Sequence, residues 1–489
     1  MPPNQQQRAQ LTANQNTTRK AESPHEPSRD ALRKRAVASC VRILPTGPLF
    51  GVVEPPGSKS ITNRALLIAA MADGTSRLTG ALASEDTEVM IQSLRNIGVT
   101  IKRSVSGCEL VVTGLGSAPA SEDLPDEPKE LFIANSGTTV RFLTAALSAI
   151  GGSYVLKGVT RMHQRPIGDL IAAIQPIIDG TIQATSPGQC PPVEIESRGW
   201  TGSRLRVAGS VSSQYLSGLM MAASIASSRH KDEIQIDVDG ELVSRTYVDM
   251  TAAVMRAFGA SVTADETSFC VSNRYQAADY HIEPDASAAS YFWAAAAITG
   301  GKITVRNVTP RSLQGDVGFV DVLEKMGSHV RTDENGITVE GRAYCGVDVD
   351  MNTISDTVQT IAMVALFADS PTRVRGVAHN RFKETDRIGD LARECRRLGA
   401  TVDEHQDGLT IHPLAEEDIA ARSDTSPPIR METYNDHRMA MSLSLAGLKL
   451  PNLDIANPSC TGKTYPNYWS DLEALTGHPH FWTPAEITK

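Results

Sequence analysis

Residues 55–74 read PPGSKSITNRALLIAAMADG. A small-polar turn carrying Lys59 and, one helical turn on, Arg64 runs straight into Ala, Leu, Ile and Met. Hydroxyls, a lysine and an arginine at a helix N-terminus form an anion-binding arrangement. A nucleotide-triphosphate loop would need G-x-x-x-x-G-K-[ST]. Here two prolines precede Gly57, and Ser58, not glycine, precedes Lys59, so that reading is rejected.

The same pattern recurs five more times: ANSGTTVRFLTAALSAIGG (134–152), GSVSSQYLSGLMMAASIA (209–226), PDASAASYFWAAAAITGG (284–301), NTISDTVQTIAMVALFAD (352–369) and YNDHRMAMSLSLAGLKL (434–450). Each copy is apolar nearly all round, which predicts a helix buried inside a domain. Between the copies lie strand-like pieces such as CELVVTG, EIQIDVDG, KITVRNV and GLTIHP. A second kind of segment, including EDTEVMIQSLRNIGV, VDMTAAVMRAFGA and DLARECRRLGA, has helical periodicity. The spacing exceeds that of solenoids and propellers. Six copies of a larger unit are expected, each with strands, one buried helix and one amphipathic helix.

The chain has 489 residues and a formal net charge of −9, which argues against nucleic acid or an anionic membrane as partner. Its seven cysteines are scattered without a C-x-x-C pair, so neither a zinc site nor a disulfide framework is expected. A reducing, cytoplasmic setting and no membrane span are expected. Residues 1–38 are Gln/Asn-rich with few large apolar side chains, and read as a disordered tail.

Anionic ligands must then be met by local basic clusters. Arg161 and Arg165 stand in RMHQRPIG, Lys383 and Arg387 flank Glu384 in KETDRI, Arg438 opens the last apolar run, and Lys463 sits in CTGKTYPNYW. Ser212, Ser213 and Gln214 add neutral donors. Many cations, several hydroxyls, few carboxylates and no cofactor or metal-ligand cluster describe a site for small substrates bearing several negative charges.

In order, PGSKSITNR, NSGTTVRFLTA, RMHQRPIG, SSQYLSGL, LVSRTYV, KETDRI, NDHRMAM and CTGKTYPNYW resemble the 5-enolpyruvylshikimate-3-phosphate (EPSP) synthase family, from about residue 42 to the C-terminus. The resemblance implies an inside-out α/β barrel in two domains, six βαβαββ units, three per domain. One domain would comprise 57–282 and the other 39–56 with 283–489. It implies transfer of the enolpyruvyl group of phosphoenolpyruvate to the 5-hydroxyl of shikimate 3-phosphate, without cofactor or metal, by a monomer. Shikimate 3-phosphate would lie on Lys59, Ser60, Arg64, Ser212, Ser213, Gln214, Ser244, Tyr247, Asp356, His379 and Lys383. Phosphoenolpyruvate would lie on Lys59, Asn135, Gly137, Arg161, Gln214, Arg387, Arg438 and Lys463. Asp356 would accept the hydroxyl proton, and Glu384 with Lys59 would move the proton at C3.

The chain departs from the family at His379, where asparagine is common, at Ser136, where alanine is common, and at Phe142 and Thr246, where proline is common. Ser136 is expected to crowd inhibitors that resemble phosphoenolpyruvate. The family of UDP-N-acetylglucosamine enolpyruvyl transferases carries a cysteine before its Arg-Pro pair; GGSYVLKGVTRMHQRPIG has none. A non-catalytic homologue that binds anionic metabolites is the other alternative, disfavoured by the intact Lys59, Asp356, Glu384, Arg438 and Lys463.

Overall fold

The structure, a computed structural model, describes residues 38–116, 127–230, 233–423, 425 and 427–484. The expected tail falls outside these residues apart from Ala38, which opens a strand rather than closing the tail.

The six apolar runs all form helices: α1 (Lys59–Met71), α2 (Gly137–Ile150), α3 (Ser213–His230), α4 (Ala286–Thr299), α5 (Val358–Ala365) and α6 (His437–Ala446). Side chains of Ser58, Ser136, Asp285 and Asp436 cap α1, α2, α4 and α6. Such caps satisfy amides that the first helical turn leaves without partners. α4 is buried along its whole length, as an apolar surface without a polar stripe requires.

The described strands make six four-stranded sheets with one shared plan. In the sheet of Lys129–Phe132, Gly152–Lys157, Ile178–Ser186 and Cys190–Trp200, the edge strand runs parallel to its neighbour and the rest is antiparallel. α2 makes the parallel crossover and the amphipathic helix Gly168–Ile174 follows. Parallel neighbours need a crossover of this kind, whereas antiparallel ones close with a short turn. The buried helices fill the centre and the sheets wall them in.

The apolar interior divides into two bodies. One gathers residues from Ile61 to Ile282 and the other joins Val41–Val53 to Ala286–Leu472. Two sheets explain how one chain builds both. Strand Phe50–Val53 pairs in parallel with Lys302–Arg306, and Asp279–His281 pairs in parallel with Thr75–Thr79. The chain therefore lays an edge strand in one body, builds the whole of the other, and returns. The two crossing segments bond to each other: Ser58 N donates to Glu283 O at 2.9 Å and Asp285 N to Pro56 O at 2.8 Å. Gly57 is required here, because a Cβ would lie 1.8 Å from the Gly80 carbonyl oxygen.

Candidate active site

The N-termini of buried helices from both bodies face one cleft. Its larger cavity is lined by Lys59, Ser60, Arg141, Ser212, Ser213, Gln214, Ser244, Tyr247, Asp356, His379 and Lys383 among others. An adjoining one is lined by Lys59, Asp86, Gly137, Thr138, Arg165, Gln214, Asp356, Lys383, Glu384, Arg387 and Arg438. Across the two, Lys59, Arg141, Arg165, Lys383, Arg387 and Arg438 face only Asp86, Asp356 and Glu384. Cations outnumber carboxylates two to one, so the net field favours polyanions.

Asp356 lies at the junction of the two cavities. Its Oδ1 accepts from Arg387 Nη1 at 3.2 Å, and its Oδ2 from Arg438 Nη2 at 2.7 Å and the Tyr247 hydroxyl at 3.0 Å. Lys383 Nζ stands 3.8 Å away. Against the penalty of burial, Arg438, Lys383, Arg387 and Lys59 hold the Asp356 carboxyl well below the usual carboxylate range. Glu384 is likewise ionised: it accepts from Arg387 Nη2 and from Lys463 Nζ, each at 2.9 Å, and outweighs its own burial through those cations. Arg387 is fixed from behind by Asp436, which takes its Nε at 2.7 Å and Nη2 at 3.2 Å. Burial paired with bidentate contact is the setting in which arginine outperforms lysine.

The two bodies also touch directly. Lys463 Nζ donates to Asn135 O at 3.2 Å, and Ser244 N to Asn352 Oδ1 at 2.7 Å. Arg161 Nε donates to Glu384 O at 3.0 Å and its Nη2 to Lys383 O at 3.3 Å. These contacts hold the cleft closed. His379, buried and 3.2 Å from Ser244 Oγ, has its pKa pushed down to about 3 by burial and by Lys383, so it is neutral.

Four expected ligands, Arg64, Arg161, Asn135 and Lys463, stand outside these two cavities. Arg64 is buried under α1, where it donates to Thr251 Oγ1, Ser60 O, Ser217 Oγ and Tyr247 O. Its guanidinium lies over the Phe142 ring at 5.1 Å, so the departure at Phe142 supplies its packing partner. Burial lowers its pKa to about 10. Arg64 therefore braces the floor of the cleft. Arg161, spent on two backbone carbonyls, ties the cleft shut, and Arg165 takes the place in the cavity that had been given to it. Arg165 Nη1 donates to Asn135 O at 3.1 Å, and a Cβ on Gly137 would lie 2.4 Å from its Nη2. Asn135 and Lys463 line a third, neighbouring cavity with Ser136, Glu85 and Cys460. Ser136 Oγ is turned into its own helix, bonding Thr139 N and Oγ1 at 3.2 and 2.7 Å. That hydroxyl is therefore engaged as the cap of α2.

Asp86, Thr138, Arg141 and Arg165 line the cleft, although the motifs assigned them to neither substrate. Asp86 resembled an ordinary acidic residue in the first turn of Glu85–Asn96. The placement of Arg165 turned on which of two arginines four residues apart faced inward, and the short 3₁₀ turn Met162–Gln164 decides that.

An inside-out, two-domain α/β architecture with a cationic interdomain cleft defines a class: enzymes that hold two small polyanions side by side. The family model for EPSP synthase (3-phosphoshikimate 1-carboxyvinyltransferase) matches residues 43–472, and the chain belongs to that family. It is 42% identical over 436 residues to the 3-phosphoshikimate 1-carboxyvinyltransferase of Trichormus variabilis, covering 88% of this chain and 97% of that protein. It is 41% identical over 458 residues to the chloroplastic enzyme of Brassica napus, covering 90% and 86%. The EPSP synthase structure from Acinetobacter baumannii superposes with a TM-score of 0.71 at 25% identity, covering 91% of this chain and all of that one.

Proposed function

We propose that this chain transfers the enolpyruvyl group of phosphoenolpyruvate to the 5-hydroxyl of shikimate 3-phosphate, releasing phosphate, and so serves aromatic amino-acid biosynthesis. Shikimate 3-phosphate lies in the larger cavity, with its phosphate on Ser212, Ser213, Ser244 and Lys383 and its ring hydroxyls near Gln214, Tyr247 and Asp356. Phosphoenolpyruvate lies beside it on Lys59, Gly137, Arg165, Arg387, Arg438 and Lys463. Asp356 is ionised and takes the proton of the 5-hydroxyl as that oxygen bonds to C2. C3 gains a proton from the Lys59 ammonium. The tetrahedral adduct then expels phosphate into the cationic wall and loses a C3 proton to the ionised Glu384. Cations fixed before reaction stabilise the departing charge without reorganising, and a carboxylate in hydrogen-bond reach serves as general base.

The two bodies, 57–282 and 39–56 with 283–489, act as domains that swing about the Gly57/Pro284 crossing, and closure excludes water. A cytoplasmic monomer fits the substrates, and no helix among the described residues is long and apolar enough to cross a membrane. The observation that carries the reading is Asp356 standing where both cavities meet, among Arg387, Arg438, Lys383 and Tyr247. The test is phosphate release from phosphoenolpyruvate with shikimate 3-phosphate set against UDP-N-acetylglucosamine. Release with the UDP-sugar alone would transfer the assignment to the sister family.

A further inference from the structure

The Tyr247 phenol, on the helix Arg245–Ala257, reaches across the cleft to two carboxylates at once. Its oxygen is 3.0 Å from Asp356 Oδ2 and 3.1 Å from Asp316 Oδ2. A phenol has one hydrogen, and burial with the neighbouring charges of Asp316 and Asp356 keeps that hydrogen in place. It can be given to only one of the two. With both acids ionised, the other contact would press lone pairs together in a largely buried site, where such repulsion is stronger than in water. One more proton therefore belongs to this trio.

Its place follows from the surroundings. Asp356 is ringed by Arg387, Arg438 and Lys383. Asp316, in the 3₁₀ turn Gly315–Gly318, is buried; Ser287 Oγ bonds its Oδ2, while its Oδ1 is buried without a partner. An ionised carboxylate with a bare buried oxygen is costly, and a neutral acid much less so. The charged groups facing Asp316 are Asp356, Asp285 and Arg438. Asp285 is occupied as the cap of α4, accepting from Ala288 N at 2.9 Å and from Lys59 N at 3.2 Å. Burial and Asp356 push the Asp316 carboxyl up to about 6.

We propose that Asp316 is a positioning residue of the transfer reaction: it carries the extra proton, donates it to the Tyr247 oxygen, and so commits the phenol hydrogen to Asp356. The proposal rests on the reading of Asp356 as the base. Asp316 lines neither of the two main cavities and acts only through Tyr247. Because Tyr247 belongs to one domain and both acids to the other, the relay forms only when the cleft is closed. When Asp316 ionises, it claims the phenol hydrogen and Asp356 loses an orienting donor.

The experiment compares kcat against pH for the wild type, Asp316→Asn, Asp316→Leu and Asp356→Asn, with difference infrared spectra of wild type and Asp316→Asn. An amide at 316 donates to the phenol oxygen at every pH. Asp316→Asn should therefore rescue the turnover that Asp316→Leu loses, a drop of roughly tenfold or more in kcat with little change in either KM. The wild-type alkaline limb that Asp316 sets should vanish in Asp316→Asn. The infrared spectrum should show a protonated carboxylic acid at about pH 5 that disappears by about pH 8 and is missing in Asp316→Asn; this arm stands even where Asp316→Leu fails to fold. An Asp316→Asn variant as inactive as Asp356→Asn, or an alkaline limb that survives in it, overturns the proposal. Full turnover in Asp356→Asn would instead overturn the base assignment, and the infrared band would still decide where the proton sits.

Discussion

Replacing Arg161 with alanine separates a latch from a substrate ligand. Arg161 reaches from one body to the carbonyl oxygens of Lys383 and Glu384 in the other. A hydrogen bond from a charged donor contributes about 1.5–3 kcal/mol when well shielded. This side chain is half-buried, so that range is taken for the two bonds together and not for each: about 1.5–3 kcal/mol less bias toward closure, or roughly 10- to 150-fold. A ligand that binds only the closed form loses apparent affinity by the fraction of protein no longer closed. Arg161→Ala should thus raise the KM of both substrates together, while Arg165→Ala should act chiefly on phosphoenolpyruvate. Steady-state kinetics with each substrate varied in turn gives both values, and small-angle scattering follows closure. A rise in the phosphoenolpyruvate KM alone, with unchanged scattering, would return Arg161 to the role of a direct ligand and refute the latch.

Lys59→Met should weaken binding and turnover together, because Lys59 lines both cavities; Glu384→Gln should leave binding nearly intact and cost ~10²–10⁴-fold in kcat, which single-turnover kinetics separates from binding. The pKa of His379 is depressed, so its contribution to stability is complete above about pH 6.5 and drains away as pH falls toward about 3, while Asp356 and Glu384 add a further loss in the acid range. The urea midpoint should therefore fall between those pH values, and His379→Asn should flatten the fall; an unchanged slope would mean that His379 is protonated in the folded protein. Ser136→Ala removes the cap of α2 and should cost about 1 kcal/mol, a range of 0.5–2 kcal/mol, read as a lowered denaturant midpoint; no change would mean that the cap bond at 3.2 Å contributes nothing.

Much of this was legible because the fold repeats. Six apolar runs opening on Ser, Asn or Asp became six buried helices, and the anion-binding character of their N-termini survived into the cleft. Pieces such as EIQIDVDG became strands, here Ile234–Asp239. Motif order carried the family and, with it, Lys59, Ser212, Asp356 and Lys383. What local sequence could not give were long-range decisions. Arg64 and Arg161 lie in motifs as basic as any other, yet one is buried under Thr251 and Phe142 and the other is used on backbone carbonyls across the cleft. Asp316, 40 residues from Asp356, has no neighbouring motif that announces it; only the approach of Tyr247 from the other body gives it meaning. The hydroxyl of Ser136 was legible in kind, but its direction was set by the cap it makes.

Deuterium exchange into C3 of phosphoenolpyruvate, followed by NMR in heavy water, tests the arrangement most directly. It requires Asp356, Lys59 and Glu384 to act on one adduct in one closed cleft. The wild-type chain should exchange only when shikimate 3-phosphate is present, and Asp356→Asn should abolish exchange with binding retained. Exchange in the absence of shikimate 3-phosphate, or at the wild-type rate in Asp356→Asn, would contradict the mechanism.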